Sequence, residues 1–392
     1  MKSDKNIREG YKKTAVGVIP EEWEVKKLKE LVTIQNGRGY SHLEKGDIPV
    51  YASGGIINYV NKPLYEGTSI GIGRKGTIDS PQLLTGKYWV IDTLFFMNDF
   101  KDVYPYFLYS KFQEVNWYRY NETSGLPSLI KNTIQKVQFA IPPLPEQQAI
   151  ANCLTTWDSG IEKLTQLIAA KREQKKGLMQ QLLTGKKRLD GFVGEGEEVK
   201  IDKLAEIFRG KGLSKSVLDE NGKNKCILYG ELYTTYEEVI DKVHLRTDSE
   251  DGFVSEKFDI LIPSSTTTRG IDLVTASCLM ESNVLLGGDM IVVRPKLDKI
   301  NPIFFAYLFS NTLKKDVLGY TQGVTIIHLY GKDLKEVLIK KPSLKEQTAI
   351  AHILTTADQE IALLEKKLEA MKEEKKGLMQ VLLTGKKRLI DS

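Results

Sequence analysis

Residues Leu144 to Leu189 of this chain recur at Leu344 to Leu389, at a constant offset of 200 and with about 28 of the 46 positions identical. A gapless internal repeat of this length constrains the fold more than any other feature, because each copy must adopt the same structure. The period is helical. Leu154, Trp157, Ile161, Leu164 and Ile168 step by three and four, and Leu178 and Leu182 resume the series. Leu354, Ala357, Ile361, Leu364, Leu368 and Met371 do the same in the second copy. That is the a/d seam of a coiled coil. Each copy has one apolar stripe, so the simplest burial pairs the two helices with each other. A helix of roughly 38 residues spans about 57 Å, which suits a spacer rather than the core of one small domain. Lys175 and Lys375 fall on the seam and are candidates for setting its register.

The stretches before each helix share a layout but little sequence. After a polar lead-in ending near Ile19, Pro20-Glu21-Glu22-Trp23 opens the first globular part. Val25, Leu28, Leu31 and Val32 suggest a short amphipathic element that ends at Asn36-Gly37-Arg38-Gly39, a polar glycine turn. Strand-like runs follow at Asp47–Tyr51, Ser69–Ile72, Tyr88–Ile91 and Thr93–Met97, then a helix with Pro105 in its first turn. Ile134, Val137, Phe139 and Ile141 return to extended chain. In the second half Ile201, Leu204, Ile207 and Phe208 lead to Arg209-Gly210-Lys211-Gly212, Asp259–Pro263 and Gly288–Val293 read as strands, and Asn301-Pro302 opens the equivalent helix. Ser343 and Glu346 have the spacing of a capping box. The expected division is 1–20 lead-in, 21–143 first globular domain, 144–190 first helix, 191–343 second globular domain and 344–392 second helix.

Candidate catalytic motifs fail on context. Gly71-Ile72-Gly73-Arg74-Lys75-Gly76 matches G-x-G-x-x-G, but Thr77-Ile78-Asp79-Ser80-Pro81 follows where a dinucleotide loop needs a helix. A basic turn able to touch phosphate or base fits better. Asn301-Pro302-Ile303-Phe304 approaches the N-P-P-[FY] tetrad of amino-methyltransferases, yet an N-cap followed by proline explains it. His42, His244, His328 and His352 are isolated in sequence, and Cys153, Cys226 and Cys278 have no metal-ligand spacing. No metal site and no catalytic residue is therefore expected. No apolar run is long enough to cross a bilayer and no signal peptide is visible, so a cytoplasmic location is expected.

A net charge of +5 permits a nucleic-acid partner without demanding one. Arg and Lys at glycine turns can reach base edges or phosphates, and Gln and Asn can pair bidentately with adenine. The candidates in the first domain are Gln35, Asn36, Arg38, Tyr40, Arg74, Lys75, Arg119 and Tyr120, with Tyr118 beside them. In the second they are Arg209, Lys211, Lys215, Thr268, Arg269 and Gln322, with Arg246 and Thr267 as further options. Arg74-Lys75-Gly76 and Thr268-Arg269-Gly270 stand out as basic glycine turns after a strand, in what reads as matching parts of the repeat.

Lys12-Lys13-Thr14-Ala15-Val16-Gly17-Val18-Ile19-Pro20-Glu21-Glu22-Trp23 resembles the opening of type I restriction-modification specificity subunits. Pro142-Pro143-Leu144-Pro145-Glu146-Gln147 and its echo Pro342-Ser343-Leu344-Lys345-Glu346-Gln347 resemble the P-P-L-x-E-Q signature that begins that family's helices, with departures at Ser343 and Lys345. Lys176 to Gly185 and its copy resemble the helix ends. The resemblance implies two α/β target recognition domains joined by two long antiparallel coiled-coil helices, with a pseudo-twofold relation between halves. It implies a non-catalytic subunit whose domains each read one half of a bipartite, asymmetric site in double-stranded DNA. The helix pair would set the spacing and dock two methyltransferase subunits, and restriction-translocase subunits could join them. No cofactor is expected here; S-adenosylmethionine, magnesium and ATP would belong to the partners. The rival readings are a DNA methyltransferase or nuclease acting alone, and a coiled-coil scaffold with no DNA role.

Overall fold

The computed structural model describes residues 7–389. The first six residues of the lead-in and the last three of the second helical segment lie outside the described residues. The chain divides into two compact units, one of residues 1–165 with 367–392 and the other of residues 166–366. The division falls within the long helices rather than at the domain boundaries drawn from the sequence.

The lead-in is more ordered than its polarity suggests. Tyr11–Thr14 and Gly17–Pro20 pair as an antiparallel hairpin. The Tyr11 hydroxyl donates to the Gly385 carbonyl at 2.8 Å, which fixes the hairpin to the end of the second repeat. The element expected around Val25 is two pieces. Glu24–Lys27 is a strand paired with Gln138–Ile141, and Leu28–Leu31 is a single helical turn. The strand forms because Val25 and Lys26 face Ala140 and Phe139 across the ladder.

Three strands of the first unit position the site: β1 (Thr33–Asn36), β2 (Ser69–Gly73) and β3 (Leu94–Asn98). β3 lies between β1 and β2 and is antiparallel to both; Gln82–Leu84 completes the sheet beside β2. β2 and β3 are buried along their whole length; β2 alternates isoleucine with Ser69, Gly71 and Gly73, and β3 is a continuous apolar run up to Asn98. A second sheet, ordered Gly55–Val60, Lys45–Ala52, Lys87–Val90 and Tyr65–Glu66, pairs its middle strands in parallel. Helix α1 (Pro105–Gln113) starts at its proline, as expected. It packs Phe107, Leu108 and Phe112 into the main core with Trp23 and Trp117. The first long helix, α2, runs from Leu144 to Leu182.

The second unit repeats this plan with β4 (Ala205–Arg209), β5 (Ile260–Pro263) and β6 (Met290–Pro295), the last again central and antiparallel to the other two. Ser277–Leu279 and Val239–Ile240 extend its sheet to five strands. Helix α3 (Pro302–Thr312) is capped by Asn301, whose Oδ1 accepts from the Phe304 N–H at 3.0 Å. That contact accounts for the Asn-Pro-Ile-Phe segment as a cap. The second long helix, α4, runs from Leu344 to Leu382.

The long helices pair antiparallel within each unit. In the first unit Glu146 meets Arg388, Asp158 meets Lys375 at 2.5 Å, and Gly160 lies so near Met371 that an added Cβ would sit 2.9 Å from its Cε. In the second unit Glu346 meets Arg188, Asp358 meets Lys175, and Glu360 meets Lys171 at 2.7 Å. The first two contacts are the same pairs displaced by the repeat. The seam lysines are thus matched to aspartates beside the facing seam, a polar pairing suited to setting register. Each aspartate also accepts from a tyrosine hydroxyl, Tyr106 for Asp158 and Tyr307 for Asp358. Burial, with the Asp358 carboxylate behind it, pushes the Tyr307 phenol well above the usual range. Lys175 also approaches Glu238 at 3.8 Å, so the cluster of Glu237, Glu238 and Asp358 already contains its own cation.

The Glu-Gln pair of each signature has a physical explanation. Glu146 and Glu346 are both 1% exposed. The Glu146 carboxylate accepts from Arg388 Nε at 2.5 Å, Arg388 Nη2 at 2.9 Å and Trp23 Nε1 at 3.0 Å. The Arg188 guanidinium beside Glu346 holds that carboxyl below the usual range. Gln147 accepts from the Tyr104 N–H and Gln347 from the Asn301 N–H, each at 2.8 Å, which fastens α1 and α3 to the long helices. The capping box expected at Ser343 is half formed. Ser343 Oγ accepts from the Glu346 N–H at 3.4 Å, but the glutamate side chain turns to Arg188 and the Leu189 N–H instead of its own N-cap.

Candidate nucleic-acid interface

β1 ends, β2 ends and β3 begins at one edge of the first sheet, because both neighbours run antiparallel to β3. Asn36 and Ile72 both lie opposite Phe95. The Gly37 N–H donates to the Leu94 carbonyl at 3.3 Å and the Arg38 N–H to the Val90 carbonyl at 2.8 Å. The Arg74 and Lys75 N–H groups both donate to the Thr93 carbonyl, at 2.8 and 3.2 Å. Asn36, Arg38, Arg74 and Lys75 are therefore gathered at that sheet end. Gln35 precedes them on β1, opposite Phe96, and Tyr40 packs against the Trp89 cluster. The Arg74 guanidinium lies over the Phe95 ring, 5.6 Å from its centroid, which leaves its edge free to donate. Glycine at position 37 is obligatory, since a Cβ there would sit 1.9 Å from the Ile91 carbonyl oxygen.

The other two candidates of this domain lie elsewhere. Arg119 and Tyr120 sit on the 3-10 turn Trp117–Tyr120. They line a cavity of about 290 Å³ with Lys111, Leu383 and Thr384, beside the end of α4. Tyr120 packs on Trp117, whose Nε1 donates to the Phe112 carbonyl at 2.9 Å. This packing accounts for Trp117 and Tyr120, whereas Tyr118 and Arg119 stay exposed on the turn, which runs into the segment whose Ser128 bridges Lys75.

The same sheet end recurs in the second unit. Arg209 lies opposite Ile291, the Gly210 N–H donates to the Met290 carbonyl at 2.9 Å, and the Lys211 N–H donates to the Leu286 carbonyl at 3.3 Å. Asn36-Gly37-Arg38 and Arg209-Gly210-Lys211 thus occupy equivalent turns. A Cβ on Gly210 would meet the Gly287 carbonyl oxygen at 2.0 Å, so both turns depend on the same close backbone approach. Arg209 is exposed and 3.8 Å from Asp289. Lys215 stands exposed on the short 3-10 turn Lys215–Val217, further along the loop. Arg246 is occupied, with Nη1 donating to the Gly222 carbonyl at 2.9 Å.

The two basic glycine turns singled out in sequence are not equivalent. The Leu129 N–H donates to the Arg74 carbonyl and the Leu329 N–H to the Ser264 carbonyl, both at 2.9 Å, so Arg74-Lys75-Gly76 corresponds to Ser264-Ser265-Thr266. Thr268 and Arg269 lie beyond that point, on a segment leading into the 3-10 turn Gly270–Leu273. The Thr268 hydroxyl donates to Asp272 Oδ2 at 2.5 Å and the Arg269 N–H to the same oxygen at 3.1 Å. The Thr268 hydroxyl holds the Asp272 carboxyl below its ordinary range, with Arg269 assisting. Arg269 keeps its side chain exposed and lines a cavity of about 540 Å³ with Lys314 and Asn311.

A different set surrounds Arg209. His328, Tyr330, Lys332 and Lys335 share with it a cavity of about 530 Å³. The His328 and Tyr330 rings stack at 5.9 Å, and the Lys332 ammonium lies 5.7 Å from the Tyr330 centroid. Cations and ring N–H and O–H groups gathered in one hollow suit contact with phosphates and base edges. Gln322 joins this group through reciprocal backbone bonds with His328, at 2.9 and 2.7 Å. Reading the histidines as isolated missed the cluster, because His328 pairs with Ser265 from a remote strand. The available signal was the repeat itself, which aligns His328 with Ser128, the bridge partner of Lys75.

A family model for the type I restriction modification DNA specificity domain matches residues 20–172 and again residues 194–373. The chain belongs to that family. Its role is DNA-sequence specificity within a restriction-modification system, and it has no catalytic activity of its own. A type I restriction enzyme specificity subunit of Methanocaldococcus jannaschii, MjaVIII, is 25% identical over 416 residues, covering 95% of this chain and 94% of the relative. The specificity-family fold is also found in the crystal structure of an S subunit from M. genitalium, with a TM-score of 0.63 at 17% identity over 92% of this chain and 96% of that one. A structure described under complex assembly and conformational transition of the type I restriction-modification system gives 0.56 at 15% identity, over 94% and 99% of the two chains. No helix among the described residues of this specificity subunit is long and apolar enough to cross a membrane.

Proposed function

We propose that each globular domain reads one half of a bipartite, asymmetric site in double-stranded DNA through the sheet end described above. Asn36, Arg38, Arg74 and Lys75 are the contacts of the first domain. Arg209, Lys211, Gln322, His328 and Lys332 are those of the second, with Thr268, Arg269 and Lys215 at its margin. The observation that carries this reading is the recurrence of one backbone turn, with its obligatory Gly37 or Gly210, under side chains that differ between the domains. A constant backbone presenting variable donors suits a pair of readers with different targets. The long helices set the number of unread base pairs between the halves. They also hold two methyltransferase subunits, and restriction-translocase subunits add to that assembly. S-adenosylmethionine, magnesium and ATP belong to those partners. Co-expression with the methyltransferase partner, followed by mapping of methylated bases, tests this reading. Two short specified blocks separated by a fixed gap support it; one continuous block refutes it.

A further inference from the structure

Each domain carries a seven-residue loop beside the proposed reading turn, and the two loops are built alike. The Glu122 N–H donates to the Ser128 carbonyl at 3.3 Å, and the Gln322 N–H to the His328 carbonyl at 2.9 Å. Both loops are tied to the segment leaving the second sheet strand. The Gly76 N–H donates to the Pro127 carbonyl at 2.9 Å in the first unit, and Thr266 pairs with Ile327 in the second. The loops close on themselves as well. The Asn121 side chain accepts from the Ser128 N–H at 2.9 Å, and Gly323 turns with a φ of +115° that leaves no room for a Cβ. What these braced loops present is apolar. Leu126 is 65% exposed, Ile326 at the equivalent position 46%, and Val324 in the same loop 97%. The recurrence of an exposed apolar side chain at Leu126 and at its repeat equivalent Ile326, each on a braced loop, is what points to an interaction surface. Across the loop base stand Arg74 and Lys75 in one unit; in the other Ser264 and Ser265 take those places, and the nearby cation is Lys332, over the Tyr330 ring that stacks on His328. Cations beside each loop favour a polyanion over an apolar protein face.

We infer that Leu126 in the first domain, and Val324 with Ile326 in the second, are wedges that enter a base step of each half-site and unstack it. Apolar side chains flanked by cations are the chemistry with which proteins pry base steps apart. A methyltransferase must take its target base out of the duplex, and a step already unstacked lowers the cost of doing so. The role rests on the reading of DNA by these sheet ends. It adds a function that basic and amide side chains cannot perform.

The test uses the full chain with its methyltransferase partner and duplexes carrying the mapped site. 2-Aminopurine, whose fluorescence rises on unstacking, is placed at each position in turn. Wild type is expected to brighten one step in each half-site. Leu126→Ser is expected to abolish the signal in one half only, and Val324→Ser with Ile326→Ser in the other only, while Leu126→Met keeps it. Any signal shared by all variants belongs to the methyltransferase. Methylation by the serine variants is expected to fall roughly tenfold on matched DNA and to recover on a duplex mispaired at that step. Equal fluorescence in wild type and serine variants, with DNA binding intact, would overturn the wedge and leave the reading of DNA standing. Failure of the wild-type complex to bind its duplex would overturn both.

Discussion

Replacing Arg388 with methionine should destabilise the first unit far more than a surface charge change would. Glu146 is 1% exposed and takes two of its three hydrogen bonds from Arg388. Removing the guanidinium leaves a buried carboxylate with only the Trp23 indole N–H, and such breakage costs about 3–5 kcal/mol. The Arg388 side chain is 25% exposed and also bonds Glu22, so the lower end, about 3 kcal/mol, is expected. Glu146→Gln should cost only about 1 kcal/mol, because Arg388 keeps Glu22 and water while the amide still accepts from Trp23. Combining the two substitutions should recover at least half of the loss from Arg388→Met alone. Trp23, Trp89, Trp117 and Trp157 all fall in the first unit, so tryptophan fluorescence follows that unit alone. With a urea slope of about 2 kcal/mol/M, the arginine variant should lower the midpoint by roughly 1.5 M. A loss below about 1 kcal/mol with no coupling between the substitutions would mean that the pair behaves as an exposed one.

Other perturbations have equally definite outcomes. Adding four residues in register to both long helices lengthens each by about 6 Å, so the gap in the methylated site should grow by no more than about two base pairs at 3.4 Å each; an unchanged gap would refute the spacing role. Arg209→Ala should weaken one half-site by about 1–3 kcal/mol if it reads a base, and binding measured against substituted duplexes should then lose discrimination at one position. Equal loss on every sequence would make it a phosphate contact. Burial lowers Lys111 to about 8 from an ordinary 10.5, and its Nζ donates to the Leu383 carbonyl at 2.8 Å. Between those values the unfolded chain binds more protons than the folded one, so the stability of the first unit should rise with pH across that window. Lys111→Met should lose that rise; identical pH slopes of the urea midpoint in the two proteins would contradict it.

Much of this architecture was legible because it rests on repetition and periodicity. The offset of 200 located both helices, and the three-and-four spacing located their seam. The glycine turns at Gly37 and Gly210 were visible as breaks between apolar runs. What could not be read was pairing at a distance. Arg74 and Arg269 look alike locally, and only the bonds to Leu129 and Leu329 show that Ser264 takes the place of Arg74. Tyr118-Arg119-Tyr120 has the composition of a contact surface, but only the fold shows that Tyr120 packs on Trp117 while Tyr118 and Arg119 stay exposed. The lead-in escaped because its strands are held by a hairpin and by Gly385, near the other end of the sequence. His328 and Lys332 escaped because their neighbours come from other strands.

Independent reading by two heads is tested most directly by exchanging residues 198–342 for the corresponding segment of another specificity subunit and mapping methylated bases in cells that also express the methyltransferase partner. One block of the recognised site should change while the other block and the gap stay as they were. Alteration of both blocks, or loss of the gap, would contradict the account.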